Sequence, residues 1–423
     1  MISTPGRPGE SASIVIANPA PGRRTIAWTI GPGLIVMLAD TDAGNVVTAA
    51  QAGAQWRYEL LPLVLALIPM LYMVQELTVR LGIFTGRGHG ELIREQFGLG
   101  WALLSTLGLA AATIGSLVTE FSAVAAIGEL YGLTRSLTLP AAAVALLLVV
   151  VTGSYRRMER IAIGVGLFEL AFFVVAWRAH PDFATLAKDA IHPSLGNAQF
   201  GYLAAAMIGA TFNPWMVFYQ QSAIADKKLG PEDYRVSRWD TAAGAVVTQL
   251  LTGAVLVAVA ASLRPGGVRP ALTSVGEISR AFTPVLGAVA GRLVFSVGVF
   301  GAAMVAAIVS SLALAWGIGE ITGYRRSLEY RPFEARWFYG VYAACVIGAA
   351  ALVWATSNLV WLNIAAQVLN TFLMPFVVGF LVVLAVRVLP DPLRLKRGRK
   401  WVLIGISTVV ATVGIVGGIW GML

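Results

Sequence analysis

Long apolar runs alternate with short polar, mostly basic ones along this chain, and that alternation sets its class. Eleven runs are long enough to cross a bilayer, near residues 25–54, 59–82, 100–130, 136–153, 158–178, 200–225, 240–262, 285–319, 337–355, 358–388 and 401–421. A helix of about 20 apolar residues spans the hydrocarbon core. With no water there, backbone N–H and C=O groups must be satisfied within the segment, so the runs read as helices and not as strands. The expected fold class is an all-α membrane protein. Residues 1–24, rich in Pro, Gly, Ser and Ala, read as a disordered cytoplasmic tail, with no apolar core and cleavage site of a signal peptide. Residues 25–423 read as one transmembrane domain.

Two spans carry polar interruptions near their centres. The first holds Asp40, Asp42 and Asn45 around the helix-weakening Gly44. The sixth holds Asn213 and Pro214, and proline removes an N–H donor and clashes with the preceding turn, so the helix breaks there. Interruptions five spans apart predict two inverted five-helix repeats, about 25–178 and 200–388, with an extra helix at about 401–421. In such an arrangement the binding site lies at the midplane between the two discontinuous helices.

The chemistry at the interruptions suits a hard cation. Asp42 offers a charged oxygen, Asn45 and Asn213 offer amide oxygens, and unwound backbone at Ala39 and Ala210 offers carbonyl oxygens. Such ligands fit magnesium, calcium and manganese. An acid at bilayer depth is expensive and marks function, whereas a proline in a membrane helix is as readily a simple kink. Asp40, two residues from Asp42, faces elsewhere on a regular helix. It is open to lying behind the ligands, lining a vestibule or facing water.

Composition agrees: 57% of residues are hydrophobic and 13% charged, against about 25% charged in soluble domains. The net charge of +9 would suit a nucleic-acid binder, but the basic residues sit in short loops. Arg80, Arg87 and Arg94, then Arg156, Arg157 and Arg160, then Lys227, Lys228, Arg235 and Arg238 occupy alternate loops. So do Arg325, Arg326, Arg331 and Arg336, then Arg394, Lys396, Arg397, Arg399 and Lys400. With Arg7, Arg23 and Arg24 in the tail, this bias puts the N-terminus in the cytoplasm of a multi-pass protein of the cell membrane. Nucleic acid is not an expected partner, the lipid bilayer is, and no cofactor or oligomeric state is indicated. No catalytic constellation is visible, so an enzyme is not expected. Cys345 reads as a packing residue, and His89, His180 and His192 read as scattered surface residues in loops. Glu76, Glu129 and Glu169 are expected to pair with a basic group or backbone.

At the interruptions the chain resembles the NRAMP family of divalent-metal transporters. The family's first-helix motif, Asp-Pro-Gly-Asn, reads Asp42-Ala43-Gly44-Asn45 here, and the match continues through Gln51-Ala52-Gly53-Ala54-Gln55. It extends to Arg80-Leu81-Gly82-Ile83, Thr85-Gly86-Arg87, Gly209-Ala210-Thr211, Ala366-Gln367-Val368 and Pro375-Phe376. The resemblance implies a LeuT-type fold, with helices 1 and 6 broken and an eleventh helix added. It implies metal ligands at Asp42, Asn45, the carbonyls of Ala39 and Ala210, and the side chain at Asn213, with Gln367 approaching the metal in some states. Asp40, Gly44, Thr211, Pro214, Trp215 and Glu120 are the expected supporting or gating positions.

The departures matter as much. The family's sixth-helix Met-Pro-His is Asn213-Pro214-Trp215 here, which replaces a soft thioether with a hard amide and a titratable histidine with tryptophan. The third-span acidic pair Asp-x-x-Glu is reduced to Glu120, with Leu117 in place of its first acid. These changes resemble the NRAMP-related magnesium transporter branch. They imply import of Mg²⁺ and Mn²⁺ by alternating access without proton coupling. The alternatives are a proton-coupled Mn²⁺/Fe²⁺ symporter and, more remotely, an amino-acid-type transporter on the same fold.

Overall fold

The computed structural model describes residues 31–151, 154–262, 271–272, 275–356 and 359–422. The tail with Arg7, Arg23 and Arg24, the start of the first span and the loop arginines Arg264 and Arg269 lie outside the described residues. Every element among the described residues is helical. Eight of these helices are long and apolar enough to cross a membrane, and Arg135–Val151 is a shorter apolar one. The two remaining expected spans are each a pair of half-helices.

The first span is α1 (Pro32–Asp40) and α2 (Ala43–Trp56). Then follow α3 (Leu61–Thr85), α4 (His89–Phe97), α5 (Leu99–Leu130), α6 (Arg135–Val151), α7 (Tyr155–Gly166), a 3₁₀ turn at Leu167–Leu170, α8 (Ala171–Arg178) and α9 (Phe183–Ala190). The sixth span is α10 (Ala198–Thr211) and α11 (Pro214–Asp226). The rest comprises α12 (Tyr234–Ser262), α13 (Val275–Ala281), α14 (Thr283–Leu286), α15 (Ala288–Thr322), α16 (Arg336–Ala355), α17 (Leu359–Arg387) and α18 (Arg397–Met422).

The packing repeats under an exchange of spans 1–5 with 6–10. The first span packs on the seventh as the sixth packs on the second. The third span packs on the tenth as the eighth packs on the fifth, and the third and eighth pack on each other, as do the fourth and ninth. The eleventh helix, α18, stands outside this exchange and lies along α10 and α17.

Side-chain placement is that of a protein solvated by lipid. Large apolar residues face outward, such as Leu107 on α5, Leu148 on α6 and Trp354 on α16, because lipid costs them nothing. Polar residues and small ones face inward, where small side chains let backbones approach closely. The ends of both half-helices on the arginine-rich side are tied down. Asp240 of α12 accepts from Gly31 N (3.2 Å) and Gly33 N (2.9 Å) at the start of α1. Lys227, just past α11, donates to Glu159 of α7 at 2.8 Å.

Short helices occur where the sequence reading had only loops. In α4, Leu92 and Ile93 turn inward while Glu95 stays exposed. The surface helix α9 starts on Asp182, whose carboxylate accepts from Ala184 N (3.2 Å) and Thr185 N (3.1 Å). Both are too short to register as spans. The expectation of surface histidines is corrected at His89, which is fully buried at the start of α4 with its ring edge on Phe218. Burial pushes its pKa down to about 4, so the neutral ring donates from Nδ1 to Gln221 Oε1 at 3.1 Å. Glu76 pairs with Arg80 at 2.6 Å and Glu129 pairs with Arg135, as expected.

Candidate metal centre

The two breaks face each other at the middle of the protein. In the first, α1 ends at Asp40 and Asp42 caps α2, its Oδ1 accepting from Asn45 N at 2.6 Å. The Asn45 amide crosses the gap: Nδ2 donates to Asp40 O (3.0 Å), and Oδ1 accepts from Thr252 Oγ1 (3.0 Å) on α12. Thr248, one turn earlier on α12, bonds Thr41 Oγ1 at 2.7 Å and lies 3.5 Å from Asp40 Oδ2.

The carbonyl of Ala39 is freed by a diversion. In a continuous helix it would accept from Ala43 N, four residues on. That N–H instead donates to Glu120 Oε2 of α5 at 3.2 Å. The carbonyl of Ala210 loses the same partner for a covalent reason, since the residue four positions on is Pro214, which has no N–H. Here Asn213 folds back and its Nδ2 caps Ala210 O at 3.0 Å.

A chain of amides closes the space between the breaks. Gln367 of α17 reaches Asp42 Oδ1 from Nε2 at 3.5 Å, and its Oε1 accepts from Asn370 Nδ2 at 3.1 Å. Asn370 Nδ2 also donates to Asn213 Oδ1. Gly44 has to be glycine for this, because a Cβ there would fall on Gln367 Nε2. Gly209 is similarly constrained: a Cβ would run into the Gln367 backbone oxygen and come within 2.5 Å of Thr371 Oγ1. Backbone cannot rotate away as a side chain can. Gly209→Ala is therefore expected to destabilise the fold by about 1–3 kcal/mol, read as a lower melting temperature of the detergent-purified protein. An unchanged melting temperature would show that α10 and α17 can separate freely.

The structure thus brings Asp42, Asn45, Ala39, Ala210, Asn213 and Gln367 around one buried space, each no more than 2% exposed. Asp40 joins them, fully buried beside the Asn213 side chain, so the water-facing alternative is excluded. Thr211 points away, its hydroxyl bonded to Met207 O (3.0 Å) and to Gln249 Nε2 (3.2 Å). Trp215 fills the first turn of α11, fully buried, with its indole N–H unpartnered. Sequence reasoning missed Asn370, Thr248 and Thr252. A second amide one turn after Gln367 and the Thr-x-x-x-Thr spacing inside an apolar span were the available signals.

Two carboxylate oxygens in this space, Asp40 Oδ1 and Asp42 Oδ2, have no hydrogen-bond partner, nor has Asn370 Oδ1. Buried polar atoms left in that state cost free energy, and a cation satisfies several at once. Among the described residues no three His, Cys, Asp or Glu side chains cluster to hold a metal by themselves. An ion here would draw on carboxylate, amide and carbonyl oxygens together.

A family model described as natural resistance-associated macrophage protein-like matches residues 33–419. A Klebsiella pneumoniae protein named divalent metal cation transporter MntH is 27% identical over 303 residues, 69% of this chain and 70% of that protein. The solved manganese transporter of Eremococcus coleocola is 17% identical and superposes with a TM-score of 0.73, covering 96% of this chain and 89% of its own. The nucleobase-cation-symport-1 transporter Mhp1 in a closed conformation superposes with a TM-score of 0.61 at 16% identity, covering 93% of this chain and 89% of its own. The fold is the LeuT type expected from the sequence.

Proposed function

This chain belongs to the natural resistance-associated macrophage protein-like (Nramp) family, and from that premise we propose that it imports divalent metal ions, Mg²⁺ and Mn²⁺ foremost, without proton coupling. The observation that carries the reading is the donor set. The polar side chains bonded to one another between the breaks, Asp42, Asn45, Asn213, Gln367 and Asn370, are all carboxylate or amide, and the thioethers nearest them, Met216 and Met374, lie on the far side of Asn213 lining a small separate cavity with Gln75. Magnesium prefers oxygen ligands, loses its waters reluctantly and keeps several when bound. Amides already joined in a chain suit that ion, because they can bond its waters without stripping them.

Two positions support the absence of coupling. Trp215 stands where the family motif has histidine, and the third span keeps only Glu120 of its acidic pair. The membrane potential supplies the driving force: about 2.3 kcal/mol per charge per 100 mV, hence about 4.6 kcal/mol for a divalent ion. With the arginine-rich loops in the cytoplasm, the tethers at Asp240 and Lys227 close the inner side and must yield for release.

The test is flux into liposomes holding purified protein, with a pH-sensitive dye inside. Uptake of Mg²⁺ and Mn²⁺ with no acidification is expected. Mn²⁺ uptake with acidification and no Mg²⁺ uptake would overturn the reading in favour of a proton-coupled transporter.

A further inference from the structure

One carboxylate beyond those used above stands near the first break. Glu169 lies within electrostatic reach of Asp42, Glu120 and Asp40 and beside the Thr41 side chain. It sits in the 3₁₀ turn Leu167–Leu170 that interrupts the fifth span between α7 and α8. A tightened turn inside a helix re-aims side chains and marks functional positions. One residue before the turn, α7 comes so close to α1 that a Cβ on Gly166 would press on Leu38, and the turn itself packs on the eighth span.

Glu169 is 0% exposed, and neither of its oxygens has a hydrogen-bond partner. This corrects the expectation that it pairs with a basic group or with backbone. The hydroxyl of Thr41 is engaged with Thr248. Among the described residues no Lys, Arg or His hydrogen-bonds or pairs with Asp40, Asp42, Glu120 or Glu169. Four buried carboxylates therefore share one base-free region. Ionised together they would repel one another strongly in a low dielectric, so each of these buried acids either keeps its proton or is compensated by a cation. One divalent ion between the breaks neutralises at most two of them.

We propose that Glu169, with Thr41 at its side, anchors a second cation position adjoining the metal centre and distinct from it, taking a small hard cation through oxygen donors. Sodium and a second magnesium ion share that chemistry. The Glu169 carboxylate supplies the charge, and the turn keeps it fixed while the half-helices move. The position compensates charge whether or not its occupant is carried across.

The experiment is thermal unfolding of the purified full chain in detergent. Mg²⁺ is titrated in choline chloride and again in sodium chloride at the same ionic strength and pH. A ligand that binds only the folded state raises the melting temperature with the logarithm of its concentration. Wild type is expected to show two increments: one from Mg²⁺ at the centre, and a second from sodium or from a higher Mg²⁺ range, the salt identifying which. Glu169→Gln, nearly the same shape, should lose the second increment and keep the first. Glu169→Asp should keep it at a cation concentration about tenfold higher, a check that survives if the glutamine variant fails to fold. A single increment in wild type, or a second one that persists in Glu169→Gln, overturns the proposal. Loss of the first increment is assigned separately through Asp42→Asn; if that variant keeps it, the reading of the metal centre fails and the one for Glu169 does not.

Discussion

Asp42→Ala should abolish metal uptake, lowering it at least about 100-fold, while leaving a folded protein. The size follows from what the side chain does. Asp42 carries one of the two unpartnered carboxylate oxygens between the breaks and is the acid that caps α2. Removing a charge that a buried cation needs costs several kcal/mol, and each 1.4 kcal/mol is about a factor of ten. The structural loss is smaller, because replacing an N-cap with alanine costs about 1 kcal/mol. Asp42→Asn separates the two effects, since it keeps an oxygen for Asn45 N and loses the charge. Uptake by either variant at the wild-type rate, measured in liposomes beside size-exclusion profiles of the same preparations, would remove Asp42 from the site.

Asn213→Met should move the preference from magnesium toward manganese and cadmium by about tenfold or more in the ratio of uptake rates. A thioether is a soft donor that favours later metals over alkaline-earth ions. Asn213 donates to Ala210 O and accepts from Asn370. Methionine does neither, so the substitution bares the Ala210 carbonyl and leaves Asn370 to Gln367 alone. Both changes favour an ion that sheds water to take direct ligands. Competition flux with mixed Mg²⁺ and Mn²⁺ reads the ratio directly, and an unchanged ratio would mean this position does not set selectivity.

The breaks were legible because each sets residues that disfavour a helix against an otherwise apolar background. Gly44 beside two acids has no structural excuse inside a bilayer, and Asn213 beside Pro214, which alone reads as readily as a kink, gains weight from standing five spans after the first interruption. The spans were legible from length alone, apart from their ends: α12 runs back to Tyr234, well before the expected 240, because its first turns project beyond the apolar run. Other features depend on contacts between segments far apart in sequence. Thr248 and Thr252 look like helix-compatible packing residues until α12 lies on the first span, some 207 residues away. Glu169 stands as a lone acid in the middle of an apolar span, and only the assembled neighbourhood shows that nothing pairs with it. The burial of His89 was hidden the same way, since its partner Gln221 is 132 residues distant.

The two breaks are held open by different means. At Ala210 the missing donor is a matter of covalent structure, and no rearrangement can restore an N–H to Pro214. At Ala39 the donor exists, on an alanine where the family motif has proline, and only the Glu120 carboxylate keeps it occupied. If that bond lets go, Ala43 N–H is at liberty to return to Ala39 and wind the first helix one turn further. The sixth helix was interrupted when the chain was made, whereas the first is interrupted only for as long as the side chains of Glu120, Asp42 and Asn45 keep its backbone groups engaged.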